Sequence, residues 1–202
     1  MVPTSHPYVS RGGPKLAAAL DAFQLDVGGF CCADLGANVG GFTDCLLQRG
    51  AAKVYAVDMA YGTLAWALRQ DPRVVTLERT NVLHVEPADV EGSCACDLVT
   101  VDLGWTRQSH AIPAALKWLA AGGRIVSLIK PHYEADTGAS NGGVLDDDEA
   151  QRVARRVLDA MPALGVTVLD YIRCPVRGGG SRKGKGNAEF LALLARESES
   201  QV

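Results

Sequence analysis

Two charged residues end apolar segments, and their types could carry out proton transfer. Asp102 ends the run 97–102, and Lys130 ends the run 124–130. If both runs are parallel strands, both side chains lie at the same edge of the sheet. Desolvation or a second cation lowers the pKa of a lysine, and a neighbouring carboxylate orients its amine. The pair could therefore deprotonate a hydroxyl group, although such a pair, taken alone, is more often a structural ion pair.

Two further charged residues belong to the same candidate set. Lys15 follows the segment YVSRGGP, and Glu189 begins the last apolar run, directly after a basic loop. A charged residue at the start of an apolar strand is, by itself, typical of a solvated edge. Lys15 and Glu189 therefore indicate a functional site only when they are considered together with Asp102 and Lys130.

A glycine turn connects the first predicted strand to a helix. The turn spans 34–41 (DLGANVGG), and its spacing differs from the G-x-G-x-x-G turn of dinucleotide-binding proteins. Glycines allow a ligand to approach the backbone closely. Asp34 before the turn and Asp58 at the end of the next strand favour a ligand with an amino group and a ribose. S-adenosylmethionine fits better than NAD, while a purely structural turn and a nicotinamide or flavin site remain alternatives.

Strand-length apolar runs alternate with helix-length amphipathic segments. We predict strands at 30–35, 53–58, 74–78, 97–102, 124–130, 166–172 and 189–194. We predict helices at about 41–49, 64–68, 111–119 (with a stop at Gly122 and Gly123) and 146–161. This alternation favours an α/β fold with a mostly parallel seven-stranded sheet and helices on both faces. The last two strands have no helix between them, which predicts an antiparallel edge strand.

Composition limits the classes of protein that remain. The 202 residues are 48% apolar with a net charge of −3, which excludes a disordered chain and argues against binding nucleic acid by bulk charge. We expect one domain over 1–202, with an arm at 1–14 and a frayed tail at 196–202. No segment has the length of a signal peptide or a membrane span, so we expect a cytoplasmic protein. The six irregularly spaced cysteines are interpreted as reduced core residues, without a metal site.

One basic loop departs from the acidic average. Residues 171–187 contain five cations and no acid, so this segment carries +5 and the rest of the chain −8. Its position before Glu189 places it beside the candidate site, where phosphate contacts could position RNA. A solvated turn is the alternative. The predicted RNA-binding residues are Arg11, Arg177, Arg182, Lys183 and Lys185.

The chain resembles the FtsJ-like ribose 2′-O-methyltransferases and is most similar to their TlyA (haemolysin A) family of ribosomal RNA methyltransferases. The matching segments are YVSRGGPKL at 8–16, DLGANVGGFTDCLLQRGAAKVYAVDMAYGTLAWALRQDPRV at 34–74, LERTNV at 77–82, DLVTVD at 97–102, SLIKPHYEA at 127–135 and KGNAEFLALL at 185–194. Together they cover nearly the whole chain in order. The resemblance implies a Rossmann-like, S-adenosylmethionine-dependent methyltransferase fold.

The resemblance also implies roles for the four charged residues as a Lys-Asp-Lys-Glu tetrad. Lys130 would deprotonate a ribose 2′-hydroxyl, and Asp102 would orient Lys130. Lys15 and Glu189 would position the hydroxyl. The hydroxyl oxygen would then attack the methyl group of the cofactor in line.

The resemblance places the cofactor on the glycine turn, with Asp58 on its ribose and Met59 beside its adenine. The implied contacts are Asp34, Gly36, Asn38, Gly40, Gly41, Phe42, Asp58, Met59, Asn81 and Val82. The implied partner is RNA, most simply ribosomal RNA or a ribosomal subunit.

Two departures from the family pattern bear on function. TlyA-like proteins usually carry an N-terminal S4 RNA-binding domain, for which we expect no room in this chain, and Leu103-Gly-Trp105 replaces a Val-Ser-Phe-like run. Trp105 could stack on a flipped base or serve as a core side chain. A methyltransferase with a small-molecule or protein substrate, and a non-catalytic RNA-binding relative, remain alternatives.

Overall fold

Seven short strands, drawn from the apolar runs, form a single sheet. The computed structural model describes residues 6–135, 144–179 and 186–197. The strands are β1 (Cys31–Leu35), β2 (Lys53–Val57), β3 (Val74–Leu77), β4 (Cys96–Val101), β5 (Leu119–Ile129), β6 (Val166–Arg173) and β7 (Phe190–Arg196). All seven predicted strands are present, with boundaries shifted by a few residues.

The sheet has the strand order β3-β2-β1-β4-β5-β7-β6. The first five strands in this order pair in parallel, whereas β7 is antiparallel to both β5 and β6. The predicted mostly parallel sheet is thus confirmed, and its reversed strand β7 lies one position inside the edge strand β6. The strand order reverses at β1, because β2 and β3 extend the sheet on one side of β1 and β4 and β5 extend it on the other side. Ligands bind at such a switch point in open α/β sheets.

Helices cover both faces of the sheet. They are α1 (Gly12–Ala22), α2 (Gly41–Gln48), α3 (Trp66–Arg69), α4 (Gln108–Trp118), α5 (Pro131–Glu134) and α6 (Asp147–Ala160). Successive residues of a strand point to opposite faces, so Val54 packs in the cluster with α1 and α2, and Tyr55 packs in the cluster with α4 and α6. No helix within the described residues is long and apolar enough to cross a membrane.

Two boundaries differ from the sequence prediction. Helix α1 was not predicted; it begins at Gly12, inside the segment expected to be an arm, because its glycines allow close packing on α2. A Cβ atom at Gly41 would lie 2.8 Å from the backbone nitrogen of Gly13. Helix α4 ends at Trp118, before the predicted glycine stop, because β5 already pairs with β4 at Leu119. The predicted tail at 196–202 falls largely on 198–202, outside the described residues.

The cysteine prediction was partly wrong. Cys32, Cys45, Cys96 and Cys174 are free and buried, as expected. Cys31 is joined to Cys94 by a disulfide that links the start of β1 to the loop before β4. The two residues are 63 positions apart, so their proximity depends on strand pairing and is invisible in the spacing.

Candidate active site

The glycine turn brings the ends of β1 and β4 into close contact. Gly36 and Gly40 have φ values of 94° and 100°, a left-handed conformation that side chains rarely adopt. A Cβ atom at Gly36 would lie 2.6 Å from the carbonyl oxygen of Asp102. The turn therefore requires glycine at Gly36, and this requirement places Asp102 directly beside the turn.

Asp34 lies beneath the turn and is completely buried. The hydroxyl groups of Thr43 and Thr100 donate to its carboxylate at 2.6 and 3.1 Å. Burial raises the pKa of Asp34 to about 6, against the opposing effect of these hydrogen bonds. Asp34 is absent from the lining of the cavity described next, as is Gly40, whose Cβ position is blocked by leucine side chains. Asp34 and Gly40 therefore pack against other parts of the protein and do not face the cavity.

A cavity of about 760 Å³ opens at the carboxyl ends of the strands. It is lined by eight of the ten residues predicted to contact the cofactor. These are Gly36, Asn38, Gly41, Phe42, Asp58, Met59, Asn81 and Val82. A volume of this size suits a small-molecule or cofactor site, and the fold brings these eight residues to the same cavity.

Asp58 is held in a fixed orientation in this cavity. The backbone N–H groups of Asn38 and Ala60 donate to its two carboxylate oxygens at 2.8 and 2.7 Å. Each oxygen keeps a further lone pair, so Asp58 can still accept hydroxyl groups of a ribose. The side-chain oxygen of Asn81 accepts a hydrogen bond from the backbone N–H of Leu83 at 3.0 Å.

The four candidate charged residues line the same cavity as two ion pairs. Lys130 Nζ lies 2.5 Å from Asp102 Oδ1 and donates to the carbonyl oxygen of Leu103 at 3.0 Å. Lys15 Nζ lies 2.5 Å from Glu189 Oε2. The second pair is more deeply buried, because only 3% of the Glu189 side chain is exposed, compared with 23% for Asp102.

Burial and neighbouring charges shift the pKa values of Glu189 and His132 in the cavity. Burial raises the pKa of Glu189, while Lys15 and Lys130 oppose that shift. Burial, together with the charges of Lys130 and Lys15, lowers the pKa of His132. The His132 ring therefore lies close to two lysine side chains whose charges disfavour its protonated form.

The basic loop is only partly described. Arg177 donates two hydrogen bonds to Asp147 at 2.8 and 2.7 Å, and Arg173 forms an ion pair with the same carboxylate at 2.6 Å. Arg177 also lines the cavity, as does the exposed Arg11. The remaining predicted RNA-binding residues, Arg182, Lys183 and Lys185, lie outside the described residues.

Trp105 is on the surface, so its interpretation as a core residue was wrong. Its side chain is 87% exposed, and its φ is 57°. The ring stacks on Tyr133 with 4.8 Å between centroids. Tyr133 lines the cavity, so the exposed Trp105 ring stacks on a residue of the cavity wall.

Several cavity residues were missed by the sequence reasoning. They include Ser10, Leu103, Thr106, His132, Tyr133 and Gly178. His132 and Tyr133 directly follow Lys130-Pro131, and their position just after the candidate base Lys130 is a signal that could have identified them. Within the part of the chain that the structure describes, no cluster of three or more His, Cys, Asp or Glu side chains could hold a metal ion.

Comparison with known proteins agrees with this geometry. Residues 8–193 match the FtsJ-like methyltransferase family. The 16S/23S rRNA (cytidine-2′-O)-methyltransferase TlyA of Mycobacterium tuberculosis is 46% identical over 198 residues, which cover 95% of this chain and 70% of that protein. A putative rRNA methyltransferase, YqxC of Bacillus subtilis, is 38% identical over 96% of this chain and 68% of that protein.

A solved structure extends the comparison. A putative hemolysin from Streptococcus thermophilus superimposes with a TM-score of 0.89 and 36% identity, covering 96% of this chain and 69% of that one. The expected resemblance to the FtsJ-like and TlyA proteins is thereby confirmed. Because the family match covers residues 8–193, this chain is a member of the FtsJ-like methyltransferase family, whose enzymes depend on S-adenosylmethionine.

Proposed function

We propose that this protein transfers the methyl group of S-adenosylmethionine to a ribose 2′-oxygen of ribosomal RNA. The observation that carries the proposal is the position of Lys130 on the cavity wall, where Asp102 and the Leu103 carbonyl hold its amine. The related TlyA protein of M. tuberculosis is a 16S/23S rRNA (cytidine-2′-O)-methyltransferase. A ribosomal RNA substrate would place this protein in the cytoplasm.

The cofactor would occupy the wall formed by the glycine turn. Gly36 and Gly41 pack so closely on the backbone of Asp102 and Gly13 that neither position has room for a Cβ atom, and both glycines line the cavity in which the cofactor would lie. Asp58 would accept the two ribose hydroxyls, Met59 and Val82 would border the adenine, and Asn81 would lie beside them. When bound, the cofactor supplies an electrophilic methyl group.

The chain's own residues would handle the proton. Nζ of Lys130 would accept the proton of the 2′-hydroxyl, whose oxygen would take the methyl group that bound S-adenosylmethionine would supply, with S-adenosylhomocysteine as the leaving group. Before this step the Lys130 amine must be neutral, and Asp102 keeps it pointed toward the cavity. Lys15 and Glu189 would position the ribose from the opposite wall.

RNA would be held at the cavity mouth. Trp105, stacked on Tyr133, offers an exposed aromatic ring on which a flipped base can stack. Arg11 and the basic loop, with Arg177, Arg182, Lys183 and Lys185, would contact phosphates. The 2′-hydroxyl distinguishes RNA from DNA at the reacting atom.

The proposal is tested by tritiated methyl transfer from S-adenosylmethionine to ribosomal subunits and to bare ribosomal RNA. We expect label in RNA, resistance to alkaline cleavage at the modified nucleotide, and loss of both in Lys130→Ala. Label that survives nuclease digestion and persists in Lys130→Ala would indicate a small-molecule or protein substrate. RNA binding without any label would indicate a non-catalytic relative.

Cofactor binding is tested separately by thermal unfolding. A ligand that binds only the folded protein raises the unfolding temperature, so we expect S-adenosylmethionine to raise it in the wild type and much less in Asp58→Ala. No rise in the wild type would contradict the assignment of the glycine turn.

A further inference from the structure

Exposed apolar side chains are concentrated at one place on the described surface. The large hydrophobic side chains exposed anywhere on the described residues are Val9, Val39, Met59, Tyr61, Trp66, Trp105 and Leu169. Four of these lie in the segments that follow β1 and β2, namely Val39, Met59 and Tyr61 in the two turns and Trp66 at the start of α3. Tyr61 is 69% exposed and Trp66 is 73% exposed. Contiguous exposed apolar area of this kind marks interaction sites on soluble proteins.

The two turns form one continuous surface. The backbone N–H of Ala65 donates to the carbonyl oxygen of Val39 at 3.0 Å, and the Thr63 hydroxyl donates to the carbonyl oxygen of Asn38 at 3.3 Å. Val39 and Met59 also line the cavity. The exposed surface is therefore a direct extension of the cavity wall.

A cation is stacked on this surface. The guanidinium carbon of Arg79 lies 4.1 Å from the centroid of the Tyr61 ring, and the Arg79 backbone N–H donates to the carbonyl oxygen of Ala60 at 3.3 Å. The adjacent Glu78 is already paired with Arg69. Within the described ranges, no carboxylate forms an ion pair with Arg79, so its charge is open to an external anion.

We propose that Val39, Met59, Tyr61, Trp66 and Arg79, here called the aromatic rim, bind the RNA strand adjoining the nucleotide in the cavity. Bases stack on the two aromatic rings, and a phosphate pairs with Arg79. This inference rests on the proposed function, since it places the flanking strand of the same substrate.

Charge and chemistry favour RNA over a protein partner at the aromatic rim. Every base presents a π face to an exposed aromatic ring, and the phosphate that follows it supplies the anion that Arg79 lacks. An apolar protein surface would instead bury the Arg79 charge without a partner, which is costly. The position next to the cavity is where a continuous strand must emerge.

The test measures binding of a fluorescent ribosomal RNA fragment over a range of salt concentrations. We expect Tyr61→Ala and Trp66→Ala each to weaken binding about tenfold, the loss of one base–aromatic stack. Tyr61→Phe keeps the ring and should bind as the wild type does. Arg79→Gln should reduce the slope of log affinity against log salt by about one phosphate contact. The control is Leu169→Ala, exposed on β6, which should change nothing.

Each variant is also tested for unfolding temperature and for cofactor binding, and both should match the wild type. Unchanged RNA affinity in Tyr61→Ala and Trp66→Ala overturns the proposal. So does a loss seen with intact ribosomal subunits but not with bare RNA, which would indicate a protein partner, or a parallel loss of cofactor binding. If the wild type binds RNA through the aromatic rim but transfers no methyl group, the proposed function fails while this inference stands.

Discussion

The two lysine–carboxylate pairs of the cavity share one geometry and differ in surroundings. Both have 2.5 Å between Nζ and the carboxylate oxygen. Lys15 and Glu189 are nearly sealed from solvent, whereas Asp102 remains partly open and Lys130 gains the Leu103 carbonyl as a second acceptor. A buried pair has little freedom to exchange a proton and much to lose if one partner is removed. We therefore propose that the buried pair, Lys15 and Glu189, supports the site, and that the more open pair, Lys130 and Asp102, carries out the chemistry.

The largest effect on catalysis is expected at Lys130. Without its amine, the 2′-hydroxyl has no base, so Lys130→Ala should lower kcat by at least about a hundredfold. Single-turnover methyl transfer measures the rate, and calorimetry should show an unchanged Kd for S-adenosylmethionine. Activity within twofold of the wild type would show that the more open pair is only structural.

Removal of Lys15 should affect stability first. Lys15→Met leaves Glu189 buried without its ion-pair partner, which should lower the free energy of unfolding by about 4 kcal/mol. Urea denaturation measures this change. The double variant Lys15→Met/Glu189→Leu removes both charges and should recover most of the stability without activity. No recovery in the double variant would mean that the pair itself stabilises the fold.

Asp34 extends the comparison to a buried carboxylate held by hydroxyl groups rather than by a cation. Its pKa is raised from 3.8 to about 6, so the native state binds a proton more tightly than the unfolded state does. Stability from this residue is therefore present below about pH 4 and is lost as pH rises to about 6, by roughly 3 kcal/mol.

Urea denaturation at several pH values measures this contribution of Asp34. The unfolding free energy of the wild type should fall relative to that of Asp34→Asn between these pH values. Parallel curves for the two proteins would contradict the raised pKa.

The smallest effect is expected at Asp147, which pairs with Arg173 and Arg177 on the surface. Surface pairs contribute little to stability, so Asp147→Asn should unfold as the wild type does. The two freed arginines should tighten RNA binding a few-fold and steepen its salt dependence. Fluorescence anisotropy across salt concentrations measures both, and Asp159→Asn on the same helix is the matched control. Unchanged binding would show that Arg173 and Arg177 make no phosphate contact.

Much of the fold could be predicted because it follows from residue patterns within short segments of the sequence. Strand-length apolar runs predicted all seven strands, and the acidic start at Asp146 predicted α6, which that residue caps by accepting the Glu149 N–H. Helix α1 was missed because its packing on α2, and not its propensity, stabilises a segment that begins with two glycines. The sequence left the burial of Trp105 open because burial depends on what packs over a side chain, which local sequence does not record.

The amino-acid sequence by itself determined the alternation of strands and helices, the glycine turn, and the residue types at the strand ends. These follow from side-chain periodicity and backbone sterics, which act over a few residues. Only the tertiary structure decided which of these residues contact each other. Lys15 meets Glu189 across 174 positions, and Asp34 lies behind the cavity wall and not on it. Such contacts depend on strand order and on the cost of burying charge, and both are settled only when distant segments pack together.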